Sequence, residues 1–97
     1  MTTKASFTLK QATLHLAGDI TLQNAMSLYQ ASLPLVKQDG VTTFDFASLC
    51  SSDSAGIALM VAWLRLLAKQ DKKAVFLNVP SSLQSMAKAA SMDALFR

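Results

Sequence analysis

CSSDSAGIALMVAWLRLLAKQ, residues 50–70, joins a small polar turn to a segment that is apolar on nearly every side of a helix. Ile57, Met60, Val61, Leu64 and Leu67 recur at three- and four-residue spacing and form one helical stripe. Ala58, Ala62, Trp63 and Leu66 carry the apolar surface round the flank. The unbroken run Ala55–Leu64 is far shorter than the roughly 20 residues needed to cross a bilayer, and Arg65 ends it. The segment therefore reads as a helix of a globular core, with no direct membrane span. Lys69, Lys72 and Lys73 fall where it ends, and cations there complement the negative end of the helix dipole.

The flanking segments supply the sheet. VTTFDF (41–46) is β-branched and aromatic, and AVFLNV (74–79) is apolar at nearly every position, which predicts a central strand buried on both faces. A strand–helix–strand unit of this length returns the chain in the same direction, so the two strands are parallel. Further out, ASFTLK (5–10) and TLHLA (13–17) alternate with period two around Gln11–Ala12 and predict a hairpin whose second strand ends at Gly18–Asp19. Leu22, Met26, Tyr29, Leu33 and Val36 predict the core stripe of another helix, N-capped by Thr21. Pro34 either stops or kinks that helix, and Asp39–Gly40 closes the segment as a turn. Ser81–Gln84 has capping-box spacing ahead of a stripe formed by Leu83, Met86, Ala87 and Ala90, and SMDALFR is an apolar tail packing back on the domain. The expected architecture is α/β: a mixed sheet of four strands, with room for a fifth, and three main helices in the order ββαβαβα.

With 97 residues, 52% hydrophobic and 15% charged, the chain suits one folded domain over 1–97. The N-terminus lacks a secretory apolar run, and the expected address is the cytoplasm. One cysteine, Cys50, and one histidine, His15, exclude a zinc site of ordinary composition. Basic residues are scattered apart from the AKQDKK cluster, which has no interleaved aromatics, so nucleic-acid binding is not expected despite a net charge of +3. No phosphate loop or dinucleotide fingerprint is present, the six aspartates form no pair on a helix face, and no cofactor is implied. The chain reads as a non-enzyme.

What remains is the turn Asp53–Ser54–Ala55–Gly56. Asp53 or Ser54 can cap the helix, while Ala55 and Gly56 leave the first turn without bulk for another molecule's backbone. An exposed apolar flank beside such a turn suits protein docking, with Met60 as an adaptable contact and Trp63 as either an anchor or a core residue. Asp45, together with the polar turn, is a weaker candidate for small-ligand binding.

These residues resemble a STAS domain. The resemblance rests on LAGDIT (16–21), TTFDFASL (42–49), DSAGI (53–57) and MAKAASMDALF (86–96), in the family's order across nearly the whole chain. It implies that the serine after the aspartate, here Ser54, is a phosphorylation switch in the manner of anti-sigma factor antagonists, although Ala55 replaces their common second serine. Closer still is the resemblance to MlaB-like STAS subunits, carried by the length and by the helix Gly56–Gln70. It implies a non-catalytic subunit that binds the cytoplasmic ATPase of an ABC transporter for phospholipids through Asp53, Ser54, Ala55, Gly56, Met60 and Trp63.

Overall fold

A computed structural model describes residues 5–38 and 40–89. The elements are β1 (Ser6–Lys10), β2 (Thr13–Ile20), α1 (Ala25–Gln38), β3 (Thr43–Ser52), α2 (Ala55–Ala68), β4 (Val75–Leu77) and α3 (Ser81–Ala89). The order is the expected ββαβαβα. The sheet runs β1-β2-β3-β4, antiparallel between β1 and β2 and parallel for the other two pairs.

Local chemistry explains each boundary. Gln11 and Ala12 both have positive φ, the twist a two-residue hairpin needs, and pair Lys10 with Thr13. β2 does not end at Gly18–Asp19 but continues to Ile20. Gly18, at φ 86, sits where the register against β3 shifts, so it absorbs an irregularity that another residue would resist. α1 begins at Ala25 rather than next to Thr21. Thr21 instead accepts the N–H groups of Asn24 and Ala25 on its carbonyl and donates its own N–H to Asn24 Oδ1 at 2.9 Å. Pro34 is accommodated inside the helix. At α3 the Gln84 amide reaches back to the Val79 carbonyl at 2.9 Å, a variant of the expected capping box.

One face of the sheet carries the helices. Leu14, Leu16 and Ile20 of β2 and Phe44 and Phe46 of β3 are buried beneath them, while Thr13, His15, Ala17 and Asp19 alternate onto a half-exposed face. Two same-handed crossovers place α1 and α2 on one side, which makes that asymmetry a consequence of topology. Two predicted surfaces are corrected. α1 turns Leu28, Ser32 and Val36 inward, leaving Leu22 79% and Met26 65% exposed. β4 is an edge strand, with Val75 45% and Leu77 42% exposed, because the helices cover only the face bearing Phe76. Asp39, Ala90 and the SMDALFR tail lie outside the described residues.

Candidate functional site

At the carboxyl end of β3 the chain turns into α2 through Asp53 and Ser54. Asp53 fixes the corner with its backbone and its carboxylate. Its N–H donates to the Ile20 carbonyl at 3.2 Å, and its carbonyl accepts the Gly56 N–H at 3.0 Å and the Ser52 hydroxyl at 2.9 Å. Its carboxylate accepts the Ala55 N–H at 2.8 Å on Oδ1 and the Leu22 N–H at 3.2 Å on Oδ2. The same side chain thus caps α2 and ties down the loop before α1. Beside it, Ser51 donates its hydroxyl to Asp19 Oδ1 at 2.5 Å, joining the ends of β3 and β2.

Ser54 stands exposed on this fixed corner. Its backbone is already helical, and its hydroxyl makes no capping bond because Asp53 performs that task. A nucleophilic or modifiable oxygen is therefore presented at a helix N-terminus by a backbone that cannot easily retreat. Ala55 and Gly56 are buried. A Cβ on Gly56 would lie 2.2 Å from Ser52 Oγ and 3.0 Å from Leu83 Cδ2. Their small size serves packing of α2 on β3 and α3, correcting the expectation that it opens the turn to another molecule.

The expectation that Met60 and Trp63 line an exposed flank is also corrected, since both are 0% exposed. Trp63 stacks on Phe44 with ring centroids 4.2 Å apart and planes at 15°. Its indole N–H donates to Ser32 Oγ at 2.9 Å, and Ser32 in turn donates to the Tyr29 carbonyl at 2.6 Å. The buried polar groups are satisfied, so the ring belongs to the core.

The outward ridge of α2 consists instead of Ser54, Ala58, Ala62 and Arg65, with Ala58 and Arg65 exposed. Two shallow apolar grooves flank it. One, of about 360 Å³, is walled by Met26 and Tyr29 of α1, and the other, of about 480 Å³, by Met86 of α3. Sequence reasoning assigned Met26 and Tyr29 to the core stripe of α1. Their spacing was the available signal, and it marked this groove instead.

Asp45 lies apart from the corner, near the start of β3. It accepts from Asn78 Nδ2 at 3.0 Å and from the Ala47 N–H at 2.9 Å, with His15 Nδ1 at 3.6 Å. These bonds, Asn78's first, hold its carboxyl below the usual carboxylate range, partial burial opposing them and His15 adding a smaller attraction. Among the described residues no cluster of three His, Cys, Asp or Glu could hold a metal ion, and no helix is long and apolar enough to cross a membrane.

The exposed carboxyl end of the inner strand β3 thus leads through a serine corner into a packed helix. The profile of the family described as "Mlab, STAS domain" matches residues 3–97, and the chain belongs to the STAS domain family, a non-catalytic regulatory domain. No curated protein sequence matches it. Among solved structures, the unphosphorylated anti-sigma factor antagonist SpoIIAA matches with a TM-score of 0.72 at 16% identity, over 97% of this chain and 86% of that one. The phosphorylated form of SpoIIAA, the Bacillus cell fate determinant, matches at 0.67 and 16%, over 97% and 89%. A putative anti-sigma factor antagonist from Thermotoga maritima matches at 0.72 and 10%, over 96% and 83%.

The expected ABC transporter ATPase partner is corrected by these matches, which are described as anti-sigma factor antagonists, the third of them putative. The burial of Met60 and Trp63 removes the apolar grip on which that partner depended.

Proposed function

We propose that this chain is a cytoplasmic regulatory module of the anti-sigma factor antagonist kind, docking through Asp53, Ser54 and the outer ridge of α2, and switched by phosphorylation of Ser54. The observation that carries the reading is the exposed Ser54 hydroxyl, free of capping duty, on a corner pinned by Asp53. Small side chains at Ala58 and Ala62 let a partner surface approach α2 closely, and the Met26, Tyr29 and Met86 walls offer adaptable apolar contact.

Phosphate on Ser54 brings a charge of about −1.5 to −2 beside the Asp53 carboxylate. Asp53 cannot swing away without releasing the N–H groups of Ala55 and Leu22. The new charge must therefore be desolvated at an apolar contact or expel the partner, and expulsion costs less.

The test is incubation with an anti-sigma factor kinase from the same cell and ATP, followed by intact-mass measurement and a binding assay. A single phosphate, absent in S54A and abolishing the complex, supports the reading. A stable complex with no phosphate, or phosphate at another residue, contradicts it. The family name, "Mlab, STAS domain", supports a second reading, a regulatory subunit in phospholipid transport between membranes.

A further inference from the structure

The helices α1, α2 and α3 contain no acidic residue, and the basic residues are not spread evenly round the fold. The helices of the two crossovers run back against the parallel strands, so the C-termini of α1 and α2 lie at the end of the sheet where β2, β3 and β4 begin. Lys37 is in the last turn of α1, Arg65 in the last turn of α2, Lys69 at its C-cap, and Lys72 and Lys73 in the connection to β4. Lys10 joins them, because the pairings Lys10–Thr13, Thr13–Thr43 and Thr43–Val75 form one row along that end. Six of the seven described Lys and Arg residues thus share one pole, where the nearby acids are Asp71, in the α2–β4 turn, and Asp45, two residues along β3 from Thr43 and occupied by Asn78 and His15. The opposite pole, with Ser54, carries Asp19 and Asp53 and no described cation.

We infer that this basic pole binds an anionic lipid surface, and that it does so independently of the Ser54 corner. Five of the six cations are lysines, point charges on flexible stems that suit a diffuse anionic plane better than bidentate recognition. The pole presents helix C-termini, so it lacks the N–H donors that would cradle a single phosphate. Leu9 and Val75, 39% and 45% exposed, stand beside Lys10 and Lys73 in the chain's fold and give apolar contact that an interface of headgroups and acyl chains rewards and a nucleic-acid duplex does not. Docked this way, the protein directs Ser54 and Ala58, at the start of the α2 ridge, away from the lipid, and only Arg65, in the last turn, belongs to both surfaces.

The test is co-sedimentation of the full chain with vesicles of phosphatidylcholine, with and without phosphatidylglycerol at about a third of the lipid. Binding is expected to the anionic vesicles alone and to vanish in high salt. K69E/K72E/K73E, all exposed positions, is expected to weaken it by about 100-fold or more, and K10E/K37E, on other elements of the same pole, to weaken it as well. S54A is expected to leave it unchanged. Equal sedimentation with neutral vesicles, unchanged binding by both charge-reversal variants with native circular dichroism, or displacement from the vesicles by a random-sequence DNA duplex would each overturn the inference.

Discussion

Replacing Trp63 tests the packing most sharply, because it is the sole tryptophan and the residue whose place in the fold differs most from a surface anchor. Trp63→Ala removes a fully buried aromatic, at about 3–5 kcal/mol. It also removes the stack on Phe44, worth about 0.5–1.5 kcal/mol more. The expected loss, about 4–6 kcal/mol, is a large share of the roughly 5–15 kcal/mol that holds a domain of this size. Trp63→Phe keeps a ring over Phe44, and Ser32 Oγ retains the Tyr29 carbonyl as its partner. Its expected cost is about 1–3 kcal/mol. Ser32→Ala strands the indole N–H in the core and costs a similar amount. Urea unfolding followed by far-ultraviolet circular dichroism reads all three. Adding Ser32→Ala to Trp63→Phe should cost less than the two separately, since the bond can be lost only once. A Trp63→Ala midpoint within about 0.5 M of the parent, given slopes of roughly 1–3 kcal/mol/M, would refute the reasoning.

Other consequences follow from single contacts. Gly56→Ala forces Ser52 Oγ to rotate out of its 2.9 Å bond to the Asp53 carbonyl and presses Leu83, so thermal unfolding should show a loss of about 1–3 kcal/mol. Asp53→Ala leaves the N–H groups of Ala55 and Leu22 without their carboxylate, and hydrogen exchange at those two amides should accelerate while the core of β2 stays protected. Asp45 has its folded pKa lowered, so its contribution is complete above the unfolded carboxylate value and is lost as pH falls through the folded one. The stability difference between parent and Asp45→Asn should therefore be constant above about pH 5 and shrink in more acid solution; a difference that grows on acidification would contradict the assignment.

The element order was legible because each element carries its own period: alternation around Leu14 and Leu16 for β2, and the run from Ile57 to Leu67 for α2. The inward face of α1 was not, because a pass over apolar spacings skips Ser32. That residue is buried against Trp63, 31 positions away, whose indole N–H it accepts while donating to the Tyr29 carbonyl. AVFLNV reads as central because an apolar run does not say how many strands lie beyond it, and here none of the described strands does. The serine corner was visible as a turn before a helix. The bond from Asp53 to the Leu22 N–H, which fixes it, joins loops 31 residues apart and leaves no local trace. Trp63 shows the limit from the other side: composition marks an aromatic as an interface anchor or a core residue alike, and only the stacked Phe44 decides between them.

Photo-crosslinking in the native cell addresses the docking face most directly. A photoreactive side chain at Ser54 or Ala58 should yield a covalent adduct whose mass and peptides identify an anti-sigma factor, while the same group at Thr8, on the exposed edge strand β1, should yield none. An adduct with that factor from Thr8 and not from Ser54 or Ala58 would mean that the protein meets its partner through the sheet.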